Sequence, residues 1–233
     1  MRVRHSTGIS REAASDSQLA PRQGLLGRLN SARLYVITPD ATPDSVVELV
    51  RAAVRGGADA VQLRHKGLAR GELLALARRV RQVTASTPAL FIVNDHVDIA
   101  LLSGADGVHL GPDDLSVEAA LRVAGSRLLI GASASSVEAA RASIAQGADY
   151  LGSGPAFATP IKTKKPVIGP KGVAAIVAAV DRAVPVFAIG GIDESNVGQL
   201  IAAGLRRACV IRAVAGAPDP EQATRRLRAM LDA

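Results

Sequence analysis

The stretch GGADAVQLRHK, Gly56 to Lys66, decides how the rest of the chain is read. It opens on a Gly-Gly-Ala-Asp turn and runs through apolar residues with the character of a buried parallel strand. It ends in Arg64, His65 and Lys66, two cations and a ring that can become one. The turn recurs in SGADGVHL, Ser103 to Leu110, and in QGADYLGS, Gln146 to Ser153, each time joining a helical segment to an apolar run. A helix-to-strand turn repeated at intervals marks stacked βα units around a parallel sheet.

Working outward, eight strand candidates appear: LYVIT, AVQLR, LFIV, GVHL, LLIG, YLGS, VFAIG and ACVIR. Ala-rich segments of helical period separate them, several opening with Asp, Ser or Asn and closing with Gly, as helix caps do. The pattern predicts an α/β fold, a single closed (β/α)8 TIM barrel over residues 34–233. An open doubly wound sheet is the weaker alternative, because its Gly-rich dinucleotide fingerprint is absent. Residues 1–33 carry neither the barrel's period nor an apolar face. They are expected to form a disordered N-terminal extension, so that a chain beginning near Ser31 would fold and turn over normally.

Composition narrows the function. Hydrophobic residues make up 48% of the 233 and aromatics 2%, with no Trp, so the core is built from Ala, Val, Leu and Ile. The net charge of +7 is concentrated in residues 1–33, where six Arg face only Glu12 and Asp16. With so few aromatic rings to stack bases, nucleic acid is excluded as a partner. Cys209, the single cysteine, lies in an apolar run and reads as a small core residue, which excludes disulfides and Cys-based metal sites. No apolar run reaches the ~20 residues of a membrane span, and the start lacks the apolar centre of a signal peptide. The expected setting is the cytoplasm, with no membrane partner; assembly into a homo-oligomer is compatible with the sequence.

In such a barrel the chemistry sits at the C-terminal ends of the strands. Those positions are polar: Gln62, Arg64, His65 and Lys66 after the second strand, Asn94 and Asp95 after the third, and His109, Asp113 and Asp114 after the fourth. Ser133 follows the fifth, Thr159, Lys162, Thr163, Lys164 and Lys165 the sixth, and Gly190 and Gly191 the seventh. The chain contains five lysines, Lys66, Lys162, Lys164, Lys165 and Lys171, all in two of these rim segments, and an ammonium is a good point-charge partner for phosphate. Asp95 and Asp114 follow adjacent strands. They suit a hard, oxygen-loving ion such as Mg²⁺, with an acid/base pair as the rival reading and Asp113 as the alternative to Asp114. The glycines of AIGGI and the segment VIRA at the end of the eighth strand fit a second anion cradle. These residues call for two anionic groups, a polyphosphate at Mg²⁺, Arg64, Lys66 and Lys162, and a monophosphate near Gly191.

Assembled, the pieces LYVITPD, VQLRHK, FIVNDHVDIALLSGADGVHLGPDD, IGASASSVEAARASIAQGADYLGSGPAFATPIK and AIGGI resemble the thiamine phosphate synthase family, from Leu34 onward. The resemblance implies a Mg²⁺-dependent transferase of thiamine biosynthesis. It joins 4-amino-2-methyl-5-hydroxymethylpyrimidine diphosphate to 4-methyl-5-(2-phosphoethyl)thiazole and releases pyrophosphate, by dissociative chemistry that needs no general base. It also implies that Gln62, Arg64, Lys66, Asn94, Ser133 and Lys162 bind the pyrimidine diphosphate, with Arg64, Lys66, Ser133 and Lys162 carrying catalysis. Asp95 and Asp114 would hold Mg²⁺, and Thr159, Ile161, Gly191, Ile211 and Arg212 the thiazole phosphate.

The chain departs from the family pattern at four positions. His65 stands where Glu is common, Pro112 where Gln is common, Ile161 where a second Thr is usual and Arg212 in place of Ser. The last two fall on the thiazole phosphate site. Two other functions share the barrel: a thiazole tautomerase, for which His109 would be the proton-transfer residue, and a phosphate-binding barrel without catalysis. For His109 the plainer reading is a satisfied histidine inside the barrel.

Overall fold

The computed structural model describes residues 16–159, 166–180 and 184–233, with side chains in the first helix from Arg22 onward. Eight short strands run in parallel: β1 Leu34–Ile37, β2 Ala60–Leu63, β3 Leu90–Asn94, β4 Gly107–Leu110, β5 Leu129–Ala134, β6 Tyr150–Ser153, β7 Val186–Ile189 and β8 Ala208–Val210. Each pairs with its sequence neighbours, and β8 closes on β1 with Leu34 opposite Ala208, giving a closed barrel. The helices are α1 Asp16–Ser31, α2 Pro43–Arg55, α3 Arg70–Thr84, α4 Val97–Ser103, α5 Val117–Ala124, α6 Val137–Ala145, α7 Gly169–Ala179, α8 Val197–Ala202, α9 Arg212–Ala215 and α10 Pro220–Asp232. The fold is the TIM barrel that the repeated turns predict.

Local chemistry sets the element ends. Ser116, Ser136 and Asp219 each accept the backbone N–H three residues on, at 3.1, 3.2 and 3.0 Å, and so start α5, α6 and α10. Gly104 ends α4 in the left-handed conformation, at φ 68°.

The recurring Gly-Ala-Asp turns have a further role at the base of the barrel. There an N–H in the first two residues of a parallel strand can lie beyond the reach of the ladder and must find a partner elsewhere. Asp59 Oδ2 accepts Leu34 N at 2.9 Å, Asp106 Oδ2 accepts Phe91 N at 2.8 Å, and Asp149 Oδ2 accepts Ile130 N at 2.8 Å. Each Asp thereby ties its own strand to the preceding one. Each also receives an arginine: Arg228 on Asp59 at 2.9 Å, Arg81 on Asp106 at 3.2 Å and Arg22 on Asp149 at 2.6 Å.

Arg22 belongs to α1, and for residues 16–31 this corrects the expectation that residues 1–33 form a disordered extension. Residues 16–31 form a helix that closes the base of the barrel. Leu29 is 1% exposed, and Leu25 and Leu26 pack with it on the interior cluster of Tyr35, Leu90, Leu129, Tyr150 and Phe187. Arg22 also donates to Leu128 O at 2.8 Å. Residues 1–15 lie outside the described residues.

Two apolar shells result, one inside the barrel and one between the strands and the surrounding helices. Alternation along each strand sorts residues between them. Tyr150, Phe187 and Tyr35 fill the inside with tilted and edge-on ring contacts at 5.6 to 6.1 Å. The Tyr150 ring fits because its register partner is Gly131, where a Cβ would collide with it.

Candidate active site

At the C-terminal mouth the loops after β1 and β2 are locked to each other. Thr38 Oγ1 accepts Arg64 N at 3.0 Å and donates to Arg64 O at 3.1 Å, while Asp40 Oδ1 accepts Lys66 N at 2.7 Å. Asp40 Oδ2 also lies 3.6 Å from Arg64 Nη1. Thr38 and Asp40, which hold the Arg64 and Lys66 backbone, are residues of the mouth that the sequence reading passed over. Their signal was available, since both stand just past a barrel strand, within LYVITPD.

His65 turns out to shape its own loop. Its Nδ1 accepts Gly67 N and Leu68 N, both at 3.2 Å, and its Nε2 lies 3.0 Å from Ala41 O. Those partners are all satisfied by one neutral tautomer, with the proton on Nε2. Of these three residues, the cations left facing the mouth are therefore Arg64, half-buried, and Lys66, exposed.

Lys66 Nζ forms an ion pair with Asp95 Oδ2, and the Asp95 side chain is only 9% exposed. Asp95 has φ 64°, unlike any other non-glycine among the described residues, and its N–H donates to His109 O at 2.8 Å. A backbone held in this sparsely populated region aims the carboxylate inward from the end of β3. Asp114 reaches the same place from the loop after β4, where its Oδ2 accepts Gly111 N at 2.8 Å. Burial first, and then the adjoining Asp95 carboxylate, raise the Asp114 carboxyl above the usual aspartate range. Asp113 is exposed and has no hydrogen bond or ion pair among the described residues, so the geometry selects Asp114 of the two.

Two abutting carboxylates make an all-oxygen donor set that fits a hard dication such as Mg²⁺. No cluster of three or more His, Cys, Asp or Glu suited to a metal occurs among the described residues. The rest of a coordination shell would then come from water or a ligand's phosphate.

Deeper in the mouth, Gln62 is 2% exposed and its Nε2 donates to Tyr35 Oη at 2.8 Å. Asn94 ends β3, in register with His109. His109 Nε2 lies 3.0 Å from Ser133 Oγ, and its ring sits 5.5 Å from that of Tyr150. His109 is thus engaged from two sides inside the barrel.

Across the mouth, beyond β6, β7 and β8, a pocket of about 290 Å³ is lined by Thr159, Gly190, Gly191, Ile211 and Arg212, among others. Gly191 has φ 65°, and a Cβ on it would collide with the Ala158 carbonyl, so only glycine lets the two backbones approach this closely. Asn196 Nδ2 donates to Gly191 O at 2.8 Å and holds the turn. Arg212 is exposed, and no carboxylate pairs with it among the described residues. Ile161 and Lys162, with Lys164 and Lys165, lie outside the described residues.

The mouth therefore presents a cationic and carboxylate-rich half and, opposite it, a glycine-walled pocket carrying a guanidinium. Comparison with known proteins places the chain in a family. A family model described as thiamine monophosphate synthase matches residues 34–214. The chain is 46% identical over 197 residues to the thiamine-phosphate synthase of Gloeobacter violaceus, covering 84% of this chain and 57% of that one. It is 47% identical over 202 residues to that of Anaeromyxobacter dehalogenans, covering 86% and 88%. A solved thiamine phosphate pyrophosphorylase from Pyrococcus furiosus superimposes with a TM-score of 0.79 at 42% identity, over 87% of this chain and 96% of that one. The chain thus spans little more than half the length of the Gloeobacter relative and most of the other two.

Proposed function

Because the chain belongs to the thiamine monophosphate synthase family, we propose that it joins the aminopyrimidine diphosphate to the thiazole phosphate, forming thiamine phosphate and releasing pyrophosphate. The observation that carries the proposal is the pairing of the two halves of the mouth. Arg64, Lys66 and the Asp95–Asp114 carboxylates face, across one opening, the pocket of Gly191 and Arg212. Such a mouth suits one substrate that loses a diphosphate and another that keeps its monophosphate.

In this reading Arg64 and Lys66, with Lys162, hold the diphosphate and stabilise charge as it leaves. Donors fixed in advance are effective because they need no reorganisation during the reaction. Thr38 and Asp40 supply that fixity by bonding the backbone at both residues. Lys66 would leave Asp95 for the diphosphate, freeing the carboxylate. Asp95 and Asp114 would hold Mg²⁺, which when bound neutralises the leaving diphosphate. Gln62, Asn94 and Ser133 would orient the pyrimidine, and Thr159, Gly191, Ile211 and Arg212 the thiazole phosphate, so that the thiazole nitrogen meets the pyrimidine's methylene carbon as the diphosphate leaves it. Cytoplasmic operation is part of the proposal and suits a fold whose one thiol, Cys209, is buried and in no disulfide.

Incubation of the protein with both substrates and Mg²⁺, followed by assay of pyrophosphate and thiamine phosphate, tests the proposal. Equimolar formation of the two products is expected. Thiazole isomerisation without pyrophosphate release would favour a tautomerase, and binding without turnover a non-catalytic barrel.

A further inference from the structure

The buried side chains beneath Gln62 touch no ligand in the reading above, yet they decide which atom Gln62 shows to one. Gln62 Nε2 donates to Tyr35 Oη at 2.8 Å, and Tyr35 Oη lies 3.1 Å from Tyr150 Oη. Both tyrosines are 1% exposed, and burial keeps both hydroxyls protonated by raising their pKa. Tyr150 reaches this position by occupying the volume that Gly131 leaves open on the neighbouring strand. With the amide nitrogen held inward, Gln62 Oε1 has no partner among the described residues and is the atom left for a ligand.

We propose that Tyr35, seated on Tyr150, is a positioning residue that presents Gln62 Oε1 as a hydrogen-bond acceptor. The pyrimidine subsite then selects a ring bearing an exocyclic amine over one bearing an oxo group at the same place. An amine donates to Oε1, whereas an oxo group would set two acceptors against each other in a buried site. A site built around one hydrogen bond rejects an analogue that cannot make it more strongly than an apolar pocket rejects a small change of size. The inference rests on the proposed function, in which Gln62 contacts the pyrimidine.

The test compares the full-length protein with Tyr35→Phe and Tyr150→Phe, using the aminopyrimidine diphosphate, its 4-oxo analogue and the thiazole phosphate. In Tyr35→Phe the KM for the aminopyrimidine diphosphate should rise about five- to ten-fold, the effect of losing one buried hydrogen bond. Its kcat should stay within about two-fold, as for an interaction made equally in ground and transition states. The KM for the thiazole phosphate should not move, and the preference for amino over oxo should fall about ten-fold as the amide becomes free to turn. Tyr150→Phe should shift the same quantities in the same direction, by less. The side-chain amide protons of Gln62 should exchange slowly with solvent in the wild type and fast in Tyr35→Phe.

A folded Tyr35→Phe with unchanged KM and unchanged amino-over-oxo preference overturns the inference while leaving the synthase activity standing. If Tyr35→Phe does not fold, fast exchange of the Gln62 amide in the wild type, or an unaltered preference in Tyr150→Phe, overturns it instead. Gln62→Ala binding the aminopyrimidine diphosphate as tightly as the wild type removes the premise and the inference with it. Absence of thiamine phosphate formation by the wild type defeats the proposed function itself.

Discussion

Arg22 Nη2 lies 2.6 Å from Asp149 Oδ1 at the base of the barrel, with the two side chains 8% and 5% exposed. The same guanidinium bonds Leu128 O, and the same carboxylate bonds Ile130 N, so one ion pair joins α1 to β5 and β6.

Removal of α1 is therefore expected to destabilise the barrel, against the expectation that a chain beginning near Ser31 folds and turns over normally. Arg22→Ala alone leaves a buried carboxylate uncompensated and should cost about 3–5 kcal/mol. A chain beginning at Ser31 should lose more, because Leu29 is removed and the interior cluster it covers becomes exposed. Urea unfolding of both variants checks this; midpoints equal to the wild type would mean that α1 merely rests on the barrel.

Asp114 should govern both metal binding and the pH profile of stability. Its folded pKa is raised, so the folded state holds more protons than the unfolded one between the ordinary aspartate range and the raised value. The stability it contributes is full below the unfolded pKa and is lost as pH rises through the folded one. Asp114→Asn should accordingly melt higher than the wild type at neutral pH without metal. Mg²⁺ should raise the melting temperature of the wild type and not that of the variant, whose turnover should vanish. Undiminished wild-type activity in EDTA would defeat the assignment of Asp95 and Asp114.

Arg212 is expected to grip the thiazole phosphate, since it lines that pocket and, although Asp193 lines it too, no carboxylate forms an ion pair with Arg212 among the described residues. A charge-assisted hydrogen bond of this kind is worth about 1.5–3 kcal/mol. Arg212→Ser should raise the KM for the thiazole phosphate correspondingly and leave that for the pyrimidine diphosphate alone. Restoring Thr at Ile161 in that background should recover part of the loss. Steady-state kinetics with each substrate varied in turn decides the matter; unaltered thiazole phosphate kinetics would place the contact on the backbone alone.

Gly131→Ala should disturb the barrel interior, because the added Cβ meets the Tyr150 ring. Overpacking of this kind typically costs about 1–3 kcal/mol. Displacement of Tyr150 should also weaken pyrimidine diphosphate binding through Tyr35 and Gln62. Thermal melting and KM measured on the same preparation check the two effects together.

The sequence by itself determined the barrel and the side of it on which to look. Period and turn chemistry are local properties, so eight apolar runs, their capped helices and three Gly-Ala-Asp turns could be read from Leu34 onward without coordinates. The rule that loops follow strands at one mouth then gathered Gln62, Arg64, Lys66, Asn94, Asp95, Asp114 and Ser133 together. Which way those side chains face was not legible. Asp59, Asp106 and Asp149 look alike in sequence to the aspartates of the mouth, yet they bond strand N–H groups at the opposite end. His65, read among the cations, is consumed by its own loop, while Thr38 and Asp40 were passed over.

Only the tertiary structure decided the fate of α1. Its apolar face is too narrow to announce itself, and its arginines find Asp106 and Asp149 across more than 70 residues of chain. Long-range pairs of this kind leave no local period. The same holds for the line from Gln62 through Tyr35 to Tyr150, whose members stand on β2, β1 and β6. Sequence sets which residues can hydrogen-bond; closure of the barrel sets which of them are brought within hydrogen-bond reach and shut away from water.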